Sequence, residues 1–475
     1  MAHTLKAYYY TDPATAVTVD FYGAVASNSG IAVDAYQMGV PGIDQARNGS
    51  LYSDSPRPVY SKHGTVTDVL TVTVRGSTNT ALYTNLHLLA KLGEYARSST
   101  QNPNVQGAPY FELKPGGSSS GEVLYAPIYD CRVELPPDWA NVQDATKTIE
   151  DVTVTIERGL WQQYAPNVFS LTGNMSVTAQ ALASSASSST SIGGDTTALL
   201  HLYFLQASGS TTINRAIIGY RSKALGGTNY ASLGKKEAES QTNGTDTSDA
   251  ADATASGGNK VECTFATPTV ATRLSGTGIP HGTHRVFARM KATGDAVATV
   301  NLKYQDDNNS AVVYAPNATV SVSSTSWLVY DMGVVRYFNT GLGALYDDAA
   351  TGVWAIDALK ARGTGNLDID WVFFMPTEGY LTASGLSLVY SISNPQSFIF
   401  TNSVNGTMIA QQVLGADFKR LAAVQHTASI TPQPGPFALY WLMGTDSGSV
   451  FDVGIVTTLS VYFSANGRYL MPSLV

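Results

Sequence analysis

Val69-Leu-Thr-Val-Thr-Val-Arg75 alternates apolar and polar residues, which predicts a β-strand with one buried face. The next segment, Gly76-Ser-Thr-Asn79, offers side chains that cap a helix. Apolar residues then recur at steps of three and four as far as Arg97. The members of this apolar stripe are Leu82, Leu86, Leu89, Leu92 or Gly93, and Ala96. We therefore expect one amphipathic helix that packs on a β-sheet.

The composition of the whole chain is typical of a mostly β protein with several domains. At 475 residues the chain is longer than one hydrophobic core usually organises. Charged residues make up only 13% of it, and residues that suit short strands and polar turns are abundant. We therefore predict a mostly β, multidomain fold.

Charge and apolar patterning exclude two classes of partner. The net charge is −8 and no run of Lys and Arg occurs, so the chain lacks the basic surface that nucleic acid requires. No stretch approaches about 18 consecutive apolar residues, and the segment from Met1 to Lys6 has no apolar signal region. We expect synthesis in a cytoplasm and no membrane insertion.

Cys131 and Cys263 are too few for a disulfide framework or a thiolate zinc site, and we expect both to be reduced core thiols.

Three segments set the predicted domain boundaries. Residues 180–197 are rich in Ser, Ala and Gly and predict a linker or a long exposed loop. Strand candidates follow one another between residues 261 and 375 at the spacing of an antiparallel sandwich, and more strands come between residues 386 and 463. The predicted domains are residues 1–165, a discontinuous β-sandwich of residues 166–230 plus 381–475, and an inserted module of residues 231–380.

Three carboxylates of the predicted insertion are candidates for a shared cation. Glu237 and Glu239 point the same way if their segment is extended, and Asp370 meets them if the first and last strands of the module are neighbours. Calcium binds six to eight oxygens, many of them from carboxylates. This pattern predicts a cation site, with an ordinary surface acidic pair as the competing interpretation of the two glutamates.

Further motifs accompany these carboxylates in a fixed order. They are Glu237-Ala-Glu239, Gly257-Gly-Asn259, His284-Arg-Val-Phe-Ala-Arg289, Val320 to Trp327, and Leu367-Asp-Ile-Asp-Trp-Val-Phe-Phe374. The order and spacing resemble carbohydrate-binding modules of the galactose-binding-like jelly-roll class. The resemblance implies a jelly roll with a structural calcium ion held by Glu237, Glu239 and Asp370.

The same resemblance implies a sugar site made of aromatic faces and an amide. Trp327, Trp354 and Asn366 are the candidates for it. A core aromatic on an alternating strand is the competing interpretation of Trp327.

The motifs of common enzymes are missing from the sequence. No Gly-x-Ser-x-Gly elbow is present, and Gly444-Thr-Asp-Ser-Gly448 has its Ser447 one place late. His281-Gly-Thr-His284 has no glutamate between its histidines and follows Pro280, unlike the helical motif of zinc hydrolases. We expect a protein that is not an enzyme.

The first third of the chain carries a second set of motifs. They are the alternating strand, the Gly76 to Asn79 turn, the helix ending Glu94-Tyr-Ala-Arg97, Pro109-Tyr-Phe-Glu-Leu113, Tyr129-Asp-Cys-Arg-Val133 and Val152 to Arg158. They resemble tail-tube-related domains of siphophage tail proteins, especially distal tail proteins. The resemblance implies a tail-tube-like β-sandwich with one flanking helix, assembled as a ring that is commonly a hexamer. Two further β-sandwich or jelly-roll modules are expected after it.

Together the two resemblances imply a structural virion protein of a phage tail tip. As a distal tail protein it would form a homohexameric ring with tail tube and hub partners and display peripheral modules towards host surface polysaccharide. The expected location is the phage tail of the virion, after synthesis in the host cytoplasm. Two alternatives stay open: a receptor-binding tail fibre or other minor tail protein, which favours trimers, and a secreted carbohydrate-binding accessory protein.

Overall fold

The protein, seen in a computed structural model, is built mainly from antiparallel β-strands, with one α-helix in the part of the chain that is described. The predicted mostly β, multidomain fold is confirmed. The structure describes residues 4–12, 15–21, 30–48, 57–101, 109–114, 123–135, 148–163, 167–174, 180–183, 192, 194–206, 212–222, 235–279, 282–305, 312–337, 352–388, 396–402, 408–414, 417–420, 424–428, 430, 434–435, 437–447, 450–452 and 458–469.

The chain divides into two compact units. The first contains Met1–Pro166, Gly194–Thr196 and Asn466–Val475, and the second contains Asn167–Gly193 and Thr197–Ala465. The elements of the first unit are β1 Thr4–Asp12, β2 Thr15–Asp20, β3 Gly30–Gln37, β4 Ile43–Asn48, β5 Arg57–His63, β6 Val66–Arg75, α1 Asn79–Gln101, β7 Tyr110–Lys114, β8 Leu124–Glu134, β9 Ile149–Arg158 and β10 Trp161–Gln163.

Two sheets that share β8 enclose the core of the first unit. One contains β3, β6, β9 and β8, and the other contains β2, β1, β7, β8 and β10. The alternation predicted for β6 places Leu70, Val72 and Val74 in the core, while the residues between them point outward. Burial of this one face explains why the strand forms at this position.

Helix α1 packs on the same core. Thr78 caps its first turn, since its Oγ1 accepts a hydrogen bond from the Ala81 N–H at 3.2 Å. The predicted stripe from Leu82 to Ala96 is buried. Gly93 belongs to this face, and a Cβ added there would collide with the carbonyl oxygen of Cys131 on β8. The predicted flanking helix is confirmed, and glycine is what lets it lie so close to the sheet.

The second unit holds the remaining strands, including β13 from Thr197 onward and β33 as far as Ala465. They are β11 Asn167–Asn174, β12 Gln180–Ala183, β13 Thr196–Gln206, β14 Ile213–Ser222, β15 Lys235–Glu237, β16 Thr242–Asn243, β17 Thr247–Ala251, β18 Asn259–Cys263, β19 Ala271–Ile279, β20 Gly282–Ala292, β21 Val297–Gln305, β22 Val312–Val322, β23 Leu328–Tyr337, β24 Gly352–Arg362, β25 Leu367–Pro376, β26 Gly379–Leu388, β27 Gln396–Asn402, β28 Met408–Leu414, β29 Asp417–Arg420, β30 Val424–Ala428, β31 Phe437–Ser447, β32 Val450–Asp452 and β33 Thr458–Tyr469.

We call β15 to β25 the central module. Its strands form two sheets, one in the order β17-β18-β25-β20-β23 with β15 beside β25, and one in the order β16-β19-β24-β21-β22. Alternate residues of β21, Ala298, Val300 and Leu302, are buried in the core of the module. The central module is therefore a two-layer antiparallel sandwich.

We call β14, β26 and β31 the flanking strands, because they belong to the segments on either side of the central module. β14 lies between β26 and β31 and pairs with both. The predicted boundaries within the second unit stay predictions. No helix among the described residues is long and apolar enough to span a bilayer.

Candidate functional site

Strand pairing brings the three predicted carboxylates into one neighbourhood. β15 pairs antiparallel with β25, and the register places Glu237 opposite Trp371, the residue after Asp370. A short 3-10 turn, Ala238–Ser240, follows β15 and carries Glu239. The first and last strands of the central module are therefore neighbours, which is the condition under which these residues meet.

Asp370 is fully buried, and both of its oxygens have partners. Its Oδ1 accepts a hydrogen bond from the Ser256 N–H at 2.8 Å, and its Oδ2 accepts one from Nη1 of Arg289. Burial raises the pKa of the Asp370 carboxyl to about 7, although the Arg289 guanidinium lowers it. The positive charge of the Arg289 side chain thus balances the charge of this carboxylate.

The two glutamates are less completely satisfied. Glu237 Oε1 accepts one hydrogen bond from Ser256 Oγ at 2.9 Å and lies 2.5 Å from Lys235 Nζ. The Oε2 atoms of Glu237 and Glu239 are buried, and no hydrogen-bond partner for them lies in the described part of the chain. Burial raises the pKa of Glu239, and the nearby charge of Glu237 raises it further. Buried carboxylate oxygens of this kind are costly unless a donor or a cation satisfies them.

The residues fit a hard cation in part. The two unpartnered oxygens suit calcium, which prefers carboxylate and carbonyl ligands. Gly257 has a left-handed backbone conformation (φ 70°), and a Cβ added there would lie 3.2 Å from Glu239 Oε1. Asp370, by contrast, is already held by Arg289. Across the described ranges, no group of three or more His, Cys, Asp or Glu side chains is placed to hold a metal ion.

A second group of charged side chains, whose clustering the sequence did not predict, lies around Asp368. Lys260 Nζ donates to Asp368 Oδ2 at 2.6 Å, and Lys291 Nζ lies 3.7 Å from the same oxygen. Lys291 also pairs with Asp252 at 2.6 Å. Burial raises the pKa of Asp368, and Lys260 opposes that change. The sequence shows acidic residues in an otherwise apolar strand, and these could have indicated a charged cluster. Their partners can be identified only from the pairing of β18 and β20 with β25.

Trp327, the first sugar-site candidate, packs beneath charged side chains. Trp327 is 6% exposed, and its Nε1 donates to Thr254 Oγ1 at 2.9 Å. The Arg289 guanidinium lies 5.0 Å and the Lys291 ammonium 4.4 Å from the ring centroid. The indole therefore supports the charged network rather than presenting a face to solvent.

The other two candidates are also engaged within the protein. Trp354 is fully buried in the core of the central module, where its ring meets that of Phe374 at a centroid distance of 5.9 Å. The Asn366 side-chain amide donates to Glu262 Oε1 at 2.8 Å. Sugar binding stays a prediction, and residues other than the rings of Trp327 and Trp354 would have to supply its stacking surface.

The remaining residues noted in the sequence have structural positions. Cys131 and Cys263 are buried and free, as predicted. His284 is buried in β20, while His281 lies outside the described residues. Ser447 pairs with Val450 at the end of β31.

Comparison with known proteins shows distant likenesses. No family profile and no curated protein matches the chain. Among solved structures, the chain is similar to the Dit (gp 19.1) protein of phage SPP1, described as a hub adsorption apparatus in Gram-positive infecting phages. The identity is 9% over 93% of this chain and 99% of that chain, with a TM-score of 0.24. It is also similar to a chain of the phage P2 baseplate in its activated conformation with Ca, at 8% identity over 98% and 99% of the two chains and a TM-score of 0.27.

A third likeness is to the CBM22-1–CBM22-2 tandem domain of Paenibacillus barcinonensis Xyn10C. The identity is 10% over 50% of this chain and 96% of that chain, with a TM-score of 0.23. At these scores the overall folds do not superimpose, so no function is transferred from them.

Proposed function

We propose that the chain is a structural virion protein of a phage tail tip, a distal tail protein that acts by assembly and surface binding rather than by catalysis. In this proposal it forms a homohexameric ring that joins the tail tube to the hub, tip or baseplate. The observation that carries the proposal is the first unit, a β-sandwich with one flanking helix and an exposed apolar groove beside that helix. The sandwich and helix are what the motifs of residues 1–165 imply.

The groove lies between helix α1 and the end of β8. It has a volume of about 590 Å³ and is lined by Thr80, Tyr83, Thr84, Leu86, His87, Ala90, Val133 and Leu135. Tyr83 and Leu135 are each 39% exposed. They are two of the six large apolar side chains that are exposed in the described residues, and the groove brings them together into one apolar surface of the kind that marks association sites.

We propose a second copy of this chain as the occupant of the groove. In a closed ring the groove of every copy is covered by a neighbouring copy, so the exposed apolar side chains of all subunits are removed from water. The ring would also repeat the central module, and repetition raises avidity without new contacts if the modules engage their ligand together. Host surface polysaccharide is the proposed ligand of the modules.

The assembly is tested by the mass and shape of the purified full chain, alone and mixed with tail tube and hub proteins. We expect six copies and rings in negative-stain images. Leu135→Glu should give monomers, because it puts a charge into the apolar groove. Val270→Glu is the matched control, since Val270 is 51% exposed in the second unit and should leave the ring intact.

Failure of the wild type to form rings under all these conditions would overturn the ring proposal. Three copies per particle would instead favour a receptor-binding fibre. Binding of assembled and monomeric protein to purified host polysaccharide tests the display role, and we expect tighter binding by the ring. Absence of binding by both forms would contradict that role.

We also propose a structural calcium ion at Glu237 and Glu239. Asp370, the third ligand that the resemblance implies, is engaged by Ser256 and Arg289 and would reach the ion only by giving up one of these contacts. The unpartnered Oε2 atoms of the two glutamates support this proposal. A cation bound only to the folded state raises the melting temperature by mass action. Chelator should therefore lower the melting temperature of the wild type by several degrees and leave a Glu237→Gln, Glu239→Gln variant unchanged. Equal melting of the wild type with calcium and with chelator would contradict it.

A further inference from the structure

β25 is buried on both of its faces. Leu367, Ile369, Val372 and Phe374 pack into the core of the central module. Trp371, Phe373 and Met375 point to the other side, and each is at most 2% exposed. The strand β21 of the second sheet shows the ordinary pattern, in which buried residues alternate with partly exposed ones. A sheet face that meets water carries polar residues, so another part of the chain covers β25.

Apolar side chains of the flanking strands provide this cover. We call the covered surface the outer face, and it consists of Phe287, Val329, Trp371, Phe373 and Met375. The side chains that pack against it are Ile217 of β14, Tyr380 of β26, and Tyr440 and Leu442 of β31. The rings of Phe373 and Tyr440 have centroids 5.7 Å apart.

Two further contacts tighten the same junction. Gly219 of β14 lies so near Met375 that an added Cβ would collide with the Met375 sulfur. The guanidinium of Arg285 on β20 lies 5.8 Å from the centroid of the Tyr380 ring, and Arg285 also pairs with Asp331. The junction therefore has the close packing of a protein interior rather than of a loose contact.

Strand pairing also connects the central module to the flanking strands. β23, the last strand of its sheet in the central module, pairs with β32 through Val329 and Phe451. β32 pairs in turn with β31, and β31 pairs with β14. The edge of the central module is thus covered by a strand of the same chain, as exposed strand edges usually are in stable proteins.

We infer that the outer face is a permanent docking surface for the flanking strands of the same chain. The central module is then a rigid extension that unfolds together with those strands, and any ligand of the module binds away from the outer face. The inference goes beyond the proposed tail-tip function and does not depend on ring formation.

Hydrogen exchange of the full chain tests this inference with one substitution. Phe374→Ala removes a side chain that packs in the core of the central module, next to Trp354. If the module and the flanking strands unfold together, amides of β14 and β21 lose protection by the same factor. Val353→Ala is the control, because Val353 is 37% exposed on β24 and should leave both strands unchanged.

Faster exchange in β21 with no change in β14 would overturn the inference, since it would show that the central module opens by itself. If Phe374→Ala does not fold, Phe374→Leu makes the same comparison with a smaller loss of packing.

Discussion

Asp68 and Arg158 are separated by 90 residues and form an ion pair in which neither side chain is exposed. Arg158 Nε donates to Asp68 Oδ2 at 2.5 Å, and Nη2 donates to Oδ1 at 3.1 Å. The Tyr36 hydroxyl and the Gly39 N–H each donate to the same carboxylate at 2.8 Å. The pairing of β6 with β9 brings Asp68 and Arg158 together, and the pairing of β3 with β6 brings Tyr36 to the same carboxylate, so both of its oxygens are satisfied.

Substitution of Asp68 by Asn should strongly destabilise the first unit. It leaves the Arg158 guanidinium buried without an opposite charge, which typically costs about 3–5 kcal/mol. Urea unfolding of the full chain measures the loss. Asp20→Asn is the control, because Asp20 forms a partly exposed pair with Lys6 at 3.8 Å and should lose at most about 1 kcal/mol. Similar small losses in the two variants would contradict the role given to the buried pair.

Gly93→Ala should destabilise the protein although alanine is the better helix former by about 1 kcal/mol. The added methyl group would collide with the carbonyl oxygen of Cys131, and helix α1 would have to move away from β8. Overpacking of this kind typically costs about 1–3 kcal/mol. Thermal unfolding checks the change, with the exposed Lys91→Ala as a helix control expected to stay within about 0.5 kcal/mol. A stabilised Gly93→Ala variant would show that the helix does not lie so close to the sheet.

The two cysteines predict a loss of stability at alkaline pH. Burial raises the pKa of the Cys131 and Cys263 thiols to about 12, whereas a thiol in the unfolded chain has a pKa of about 8.5. Between these values the folded state keeps protons that the unfolded state releases. The contribution to stability is therefore complete below about pH 8.5 and is lost as pH rises towards 12. The urea midpoint should fall over this range, and less steeply in a Cys131→Ala, Cys263→Ala variant.

Thiol labelling gives an independent check on the same burial. A thiol reagent at pH 8 should leave the native protein unmodified and should label both cysteines in denaturant. Rapid labelling of the native chain would contradict the burial of these side chains.

Trp327→Ala should lower the stability of the central module. The substitution removes a ring that packs under Arg289 and Lys291 and donates to Thr254, and loss of a large core aromatic costs about 3–5 kcal/mol. Trp327→Phe keeps an aromatic ring beneath the cations and should lose less. Thermal unfolding compares the two variants. Weaker polysaccharide binding without any loss of stability would instead support the predicted sugar-stacking role.

Local periodicity explains which parts of this fold were predictable. The alternation in β6 and the apolar stripe of α1 depend on residues within one element, so both were found from the sequence and are buried as expected. The sequence predicted that Glu237 and Asp370 lie close together if the first and last strands of the module are neighbours. The pairing of β15 with β25 fulfils this condition.

The partners of the charged residues depend on strand order and were not predictable in the same way. Arg289 lies 81 residues before Asp370, and only the pairing of β20 with β25 places its guanidinium on that carboxylate. The burial of Trp327 has the same origin, since the cations above its ring come from β20. A sequence shows the aromatic residue but not the neighbouring strand that closes over it.

The outer face limits how the chain can be re-engineered for new binding. A replacement module with polar residues on that face would leave Tyr380, Tyr440 and their neighbours as an exposed apolar patch, and such patches promote aggregation. The central module is therefore not a cassette that can be exchanged whole. A successful transplant would have to carry over Trp371, Phe373 and Met375 together with the strand edge that receives β32.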